Sequence, residues 1–305
     1  MRHYTIISRI FLLVAPAAAR YVLMDSEPDY CSKDICPPGI THTMCEHPDD
    51  TPGENCPNYY AEPISNIEKE ELLHMHNYYR DYLASGKESR TKDGSLMPKA
   101  ANMAVLTWND ELAKVAQRWA NQCHFGHDKC HNLQDLVVGQ NAAINGYPRN
   151  IDKPPNMTGI GLGWYLAEVG FFEVSNIKSM IVNEDIGHFT QWIWAESYLL
   201  GCGWSTYWSA EHSVQIALLI CNYGPVGNVE KTPIYKEGPP CSQCPNGTTC
   251  GGDKRYPNLC YLGDGTLPDG LLVDVGPLKK GTAHAPFGWH WSALIALVAV
   301  VRATL

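Results

Sequence analysis

Hydrophobic positions return along the chain with two different periods. Ser65-Asn-Ile-Glu68 has capping-box spacing and predicts a helix running to about Ser85. After a polar loop over 86–98, Asn109 stands as the cap of a second helix. There Leu112, Val115, Ala116, Trp119, Ala120 and Cys123 recur at three- and four-residue steps, which predicts an amphipathic helix with one buried face. A third, less regular helix is predicted near 160–172. Beyond it the period changes to two. Residues 188–194, 200–208 and 213–222 are rich in Thr, Trp, Ile, Val and Tyr and read as strands, with Gly201 and Gly203 breaking the second. Helices first and strands afterwards imply α+β layering.

The flanks have a different character. Residues 20–64 are rich in Cys, Pro and Asp, lack sustained periodicity, and read as a disulfide-pinned N-terminal arm before a main domain over 65–230. Pro233, Pro239 and Pro240 mark a linker into a compact four-cysteine segment, together spanning 231–265. At the start, Arg2, Arg9 and the short apolar run IFLLVAPAAA predict a secretory signal peptide over 1–19. The tail, 266–305, carries small residues at 281–283, a short spacer and an apolar end. That pattern is compatible with a lipid-anchor signal, although Arg302 is unusual there.

Composition narrows the function. The 305 residues carry a formal charge of −9, and no basic run exists to neutralise phosphates, which argues against nucleic acid as a partner. An exported chain changes the reading of the twelve cysteines: Cys31, Cys36, Cys45, Cys56, Cys123, Cys130, Cys202, Cys221, Cys241, Cys244, Cys250 and Cys260. Their even number predicts six disulfides. The spacing Cys241-x-x-Cys244 followed by Cys250 and Cys260 suggests zinc, yet export favours disulfides there too. Asn156-Met-Thr and Asn246-Gly-Thr are glycosylation sequons.

Several motifs in order carry a family likeness: HNYYR (76–80), PKAANMAVLTWNDELAKVAQRWANQCHFGHDKC (98–130), VGQNAA (138–143), GHFTQWIW (187–194), GCGW (201–204) and LICNYGPVGN (219–228). From about Tyr30 to Asn228 the chain resembles the CAP superfamily of cysteine-rich secretory, antigen 5 and pathogenesis-related proteins. Its nearest likeness is to the arthropod antigen 5, venom-allergen type, which YCSKDICPPGITHTMC also fits. The resemblance implies a three-layer α-β-α sandwich and the pairings Cys31–Cys45, Cys36–Cys130, Cys56–Cys123 and Cys202–Cys221. The last four cysteines then pair among themselves in one of three ways. Their segment resembles the small hinge module of cysteine-rich secretory proteins, without the longer domain that blocks ion channels in some relatives.

The same resemblance implies an open cleft of two histidines and two acids. Carried over by motif, these are His76, His188, Glu168 and the position of Gln140. Glutamine there is common in the antigen 5 type, while many other members have glutamate. A tryptophan usual three residues before the second acid corresponds to Tyr165, with Trp164 shifted by one. Two imidazoles and one carboxylate form a zinc-like donor set, weakened because glutamine brings no charge. The expectation is therefore a non-catalytic binding protein needing no cofactor, with zinc held weakly at most. The alternative reading of the histidines is structural, as hydrogen-bonded members of a polar cleft.

A cleft hydrolase using His76, His188 and Glu168 is the enzymatic rival. Its serine version would recruit Ser197 beside Glu196, but no G-x-S-x-G elbow is present. His124, His127 and His131 sit in a cysteine-bracketed loop and read as solvated, and His74 as exposed. Trp164, Tyr165, Phe171 and Phe172 are candidates for a lipid groove of the kind some family members use. The expected partner is thus a lipid or sterol, another small ligand, or a host protein. Membrane contact is expected only through a C-terminal lipid anchor.

Overall fold

The computed structural model describes residues 28–149 and 156–262. The predicted signal peptide and the 266–305 tail lie outside them. The elements in order are α1 (Thr43–Glu46), α2 (Asn66–Ala84), β1 (Thr107–Trp108), α3 (Asp110–Ala120), β2 (Gly139–Tyr147), α4 (Met157–Leu166), α5 (Gly187–Trp192), β3 (Leu199–Ser209), β4 (Val214–Gly224), β5 (Thr248–Cys250) and β6 (Cys260–Leu262), with 3₁₀ turns at Val169–Phe171 and Val174–Ile177. The main sheet runs β1-β3-β4-β2, with β1 parallel to β3 and the other pairs antiparallel.

The two long helices begin where their caps predict. Ser65 Oγ accepts from Glu68 N at 3.3 Å, and Ser65 N donates to Glu68 Oε2 at 2.8 Å. Asn109 Oδ1 accepts from Leu112 N at 2.7 Å. Each such cap satisfies a helix donor that would otherwise lack a partner, worth about 1 kcal/mol.

Layering follows from strand alternation. On β4, Leu218 and Ile220 pack against Ala116 and Ala120 of α3. Leu219, Cys221 and Tyr223 point the other way, into the core built with Leu72, Trp164, Phe189 and Trp192 from α2, α4 and α5. Helices therefore cover both faces, and the α+β, three-layer sandwich is the observed fold. The glycines within 200–208 do not break the strand. A Cβ at Gly203 would lie 2.2 Å from Gln117 N, and one at Gly201 2.3 Å from Ala113 N. They let β3 rest directly on the α3 backbone, where Gln117 accepts from Trp204 N and donates to Trp204 O.

Two of the predicted elements need correction, and one observed element is new. Residues 188–194 are not a strand: α5 occupies 187–192, and Phe189, Thr190, Gln191 and Trp192 are all buried. An embedded helical turn surrounded by core has no polar stripe, so short alternation could not separate it from a strand. The third helix stops at Leu166, short of the predicted range. Edge strand β2 carries no clean alternation and was not predicted, because its Asn141 is buried within a polar network.

All six disulfides form. The four implied by the resemblance are present, and the remainder close as Cys241–Cys250 and Cys244–Cys260. The arm is thereby pinned beside α3, where Tyr30, Ile35 and Met44 meet Leu112 and Val115.

The stretch at 231–240 is not a free linker. Ile234 and Tyr235 are buried, Ile234 N donates to Ile177 O, and Ala195 N donates to Ile234 O. The cysteine-rich segment is docked as well. Cys260 N donates to Met103 O, Val105 N donates to Cys260 O, and Tyr256, Leu259 and Tyr261 join the main core. Pro233 and Pro239 are exposed, yet the backbone around them is tied down: Lys231 N donates to Met180 O and Ala101 N donates to Lys236 O. Limited trypsin digestion of the folded protein should leave Lys231 and Lys236 uncut until global unfolding, because cleavage needs locally released backbone. Early cleavage at either residue would contradict this docking.

Candidate functional site

The four residues assigned to the cleft separate in the structure. His76 lies on the inward face of α2 and is fully buried. Its Nδ1 donates to Leu72 O at 2.7 Å, and its Nε2 accepts from Tyr223 Oη at 2.9 Å. The ring stacks on Trp192 with centroids 3.8 Å apart. Neither nitrogen is free to ligate, so His76 is a core histidine rather than a cleft one. Burial, the dominant influence, pushes its pKa down to about 3, against a raising effect from Leu72 O.

His188 is half-buried at the start of α5. Its Nδ1 lies 2.5 Å from Glu168 Oε1, while Glu168 Oε2 accepts from Phe189 N at 2.8 Å. Trp164 lies parallel to the ring at 6.0 Å between centroids. Asn141 Nδ2 donates to His188 O, and Asn228 Nδ2 donates to Gly187 O. Backbone and side chain are both fixed, with Nδ1 committed to the carboxylate and Nε2 left over.

The second histidine of this cleft is His127. Its Nδ1 lies 2.9 Å from Gln140 Oε1. Gln140 Nε2 donates to Asp128 Oδ1 at 2.9 Å and to Asn222 Oδ1 at 3.0 Å. With both amide hydrogens used, Oε1 acts as the acceptor. His127 therefore carries its proton on Nδ1, and its Nε2 is a free lone pair. The two imidazoles are prepared alike, each with Nδ1 anchored on an oxygen, the arrangement that orients metal-ligating histidines.

Beneath them Asp128 collects donors. It accepts from Thr43 Oγ1, from His131 Nδ1 at 2.6 Å and from Gln140. Burial alone would push its carboxyl up, but the donated bonds and the His131 charge reverse this and hold it below the usual carboxylate range. His131 Nε2 lies 3.1 Å from Val138 O. His127 keeps an exposed edge, yet crowding around the rest of its ring, with His131 and His188 nearby, holds its pKa below the ordinary histidine value.

The 124–131 loop is thus not simply solvated. Cys36–Cys130 and Cys56–Cys123 bracket it and hold His127 over Gln140. The available signal was the position of His76: with Leu72, Arg80 and Leu83 it recurs on the buried face of α2. His124 is exposed, as expected. His74 is not: it lies 2.5 Å from Tyr256 Oη through Nδ1.

Other candidates also move. Trp164, Tyr165 and Phe172 are buried in the core, with Tyr165 Oη donating to Glu88 at 2.8 Å, and Phe171 alone is exposed. They do not line a common groove. Ser197 is fully buried and its Oγ donates to Pro225 O, so no imidazole activates it. Asn156 caps α4, its Oδ1 accepting from Thr158 N, and both Asn156 and Asn246 are exposed. Among the described residues, the only trio of His, Cys, Asp or Glu ligand atoms within 4.8 Å of one another belongs to Cys241, Cys244 and Cys260, all in disulfides.

A three-layer sandwich with this histidine cleft defines a class, and sequence comparison agrees. The model of the CAP, or cysteine-rich secretory protein, family matches residues 73–223. The chain is 40% identical over 214 residues to Venom allergen 3 of Solenopsis invicta, covering 68% of this chain and 89% of that protein. It is 38% identical over 242 residues to Venom allergen 5 of Rhynchium brunneum, covering 77% and 100%. Among solved structures, BmVAL-1 matches with a TM-score of 0.54 and 28% identity over 68% of this chain and 98% of that one. NaASP2 with Zn2+ matches with 0.51 and 26% over 67% and 99%. The chain belongs to the CAP family, within its antigen 5 type.

His76 sets a pH dependence. Its folded pKa lies below the unfolded value of 6.5, so the unfolded chain binds the extra proton between pH 6.5 and about 3. The stabilisation is complete above pH 6.5 and is lost as pH falls toward 3. Replacing His76 with Phe should flatten that acid limb in denaturant titrations across pH. It should also cost roughly 1–3 kcal/mol at neutral pH, chiefly by leaving the buried Tyr223 hydroxyl without its acceptor. An unchanged acid limb would show that other groups govern it.

Proposed function

We propose that this chain is an exported, extracellular binding protein without enzymatic activity, whose cleft takes a divalent metal such as zinc weakly through His127 and His188. The observation that carries the reading is the matched pair of imidazoles, with Nδ1 anchored on Gln140 and Glu168 and Nε2 left for a ligand. Two nitrogen ligands fall short of the three or four protein ligands of high-affinity zinc sites, which supports weak binding. A relative of the same fold, NaASP2, was solved with Zn2+. Export is supported by six disulfides, which persist in oxidising compartments.

The non-catalytic reading rests on the proton chemistry available. Gln140 is an amide and exchanges no proton near neutral pH, and the two carboxylates at the cleft are already engaged, Glu168 by His188 and Asp128 by His131, Thr43 and Gln140. The buried Ser197 has no base beside it. The partner class is a small ligand, a lipid or a host protein meeting this cleft.

Calorimetric zinc titration at neutral pH should give weak saturable binding to the wild type and none to the His127→Ala, His188→Ala double variant. His76→Phe should keep the affinity, since that ring lies outside the cleft. Binding should fade in acid as the His127 imidazole protonates. Retained affinity in the double variant would overturn the site. Metal-dependent turnover of peptide or ester substrates would overturn the non-catalytic reading.

A further inference from the structure

A second recess lies away from the histidine cleft, where the first turns of α2 and strand β1 meet the docked cysteine-rich segment. It encloses about 240 Å³. At roughly 30 Å³ per water molecule, that is room for about eight waters, below the range of drug-sized pockets. Leu73, Leu106, Trp108, Tyr256 and Tyr261 give it apolar and aromatic walls. Glu70 lines it from α2 and is only 4% exposed. Its Oε1 is buried and, among the described residues, has no hydrogen-bond partner.

The charges around the recess explain what is missing. Two cations line it, and each already has a carboxylate. Lys69 Nζ sits 2.8 Å from Asp110 Oδ1, and Arg255 Nη2 sits 2.6 Å from Asp253 Oδ2. His74 is bonded to Tyr256, and burial followed by the Arg255 charge lowers its pKa, so it offers Glu70 no counter-charge at neutral pH. Burial likewise pushes the Glu70 carboxyl up, eased by Arg255. A buried carboxylate oxygen without a donor costs free energy that a bound donor would return.

We propose that this recess is a binding site for a small organic ammonium ion with an apolar body, held by Glu70. The ammonium pairs with the Glu70 carboxylate and supplies the missing positive charge, while the body packs on Leu73, Leu106 and the tyrosine rings. Charge complementarity excludes an anion, because the unpartnered group is acidic and both cations are engaged. Size excludes a long-chain lipid. No three ligand atoms here approach within 4.8 Å, which argues against a metal ion.

The probe is phenethylammonium chloride, titrated into the full chain by calorimetry at neutral pH, with 2-phenylethanol as the neutral analogue of the same shape. Saturable binding of the ammonium, and affinity at least about tenfold weaker for the alcohol, is expected from one charge-assisted hydrogen bond. Glu70→Gln should reduce the affinity by a similar factor while keeping the wild-type circular dichroism and melting temperature. The His127→Ala, His188→Ala variant should bind the probe normally, which separates this site from the zinc cleft. Equal binding of alcohol and ammonium, unchanged affinity in Glu70→Gln, or no saturable heat up to about 10 mM would overturn the proposal. The alcohol comparison needs no variant, so misfolding of Glu70→Gln would leave it decisive.

Discussion

Arg80 is a fully buried cation with no carboxylate beside it among the described residues, and much of the molecule is arranged around its needs. Its guanidinium donates to five backbone carbonyls: Ala104, Trp192, Trp194, Ala195 and Ser197. An isolated buried charge is expensive, and burial lowers even this pKa to about 9. The compensation is the full use of a planar donor fork that lysine could not reproduce. Those carbonyls come from the approach to β1 and from the end of α5 with the turn beyond it. One side chain on α2 thereby fixes two segments distant in sequence.

The histidine cleft inherits its geometry from this knot and from the disulfides, one half from each. His188 opens α5, whose far end is held by Arg80 through Trp192 and Trp194. Trp192 Nε1 also donates to His76 O, so His76 supports His188 at one remove instead of facing it. His127 belongs to the other half, where no regular element exists. There two disulfides and the donor cluster on Asp128 replace secondary structure. Glu168 and Gln140 then play one part from opposite sides, each receiving an Nδ1 proton. That equivalence explains how an amide at 140 can do the work of a carboxylate at 168: orienting an imidazole needs an acceptor and not a charge.

Legibility in the sequence followed the physics that set each feature. Caps and the 3.6-residue period are local, and α2 and α3 could be read almost to the residue. Strands β3 and β4 alternate against two covered faces and were equally plain. The α5 turn is not legible because four consecutive buried residues, Phe189 to Trp192, leave no amphipathic trace. Choosing between His76 and His127 required knowing which groups saturate which nitrogens, a property of residues far apart in the chain such as Tyr223 and Gln140. Even so, the inward register of His76 with Leu72 and Arg80 was present in the helical period, and it outweighs a motif likeness. The proline-rich stretch misled for a related reason. Proline marks where a chain does not donate hydrogen bonds, which is a different matter from where it is exposed.

The handling of buried polar groups separates the structural parts from the functional ones. Arg80, Asp128, Glu88 and Asn222 are each surrounded by partners, as a low-dielectric interior demands. Among the described residues only Glu70 Oε1 and Asn228 Oδ1 are buried side-chain atoms without one. Asn228 is neutral, and its amide nitrogen is already engaged by Gly187 O, so its cost is small. Glu70 is ionisable and faces a recess whose cations are spoken for. In a chain that satisfies a bare guanidinium with five carbonyls, a carboxylate oxygen without a donor marks a place where the partner comes from outside. The docked cysteine-rich segment closes that recess through Tyr256 and Tyr261, which gives its two disulfides a task beyond holding the segment itself.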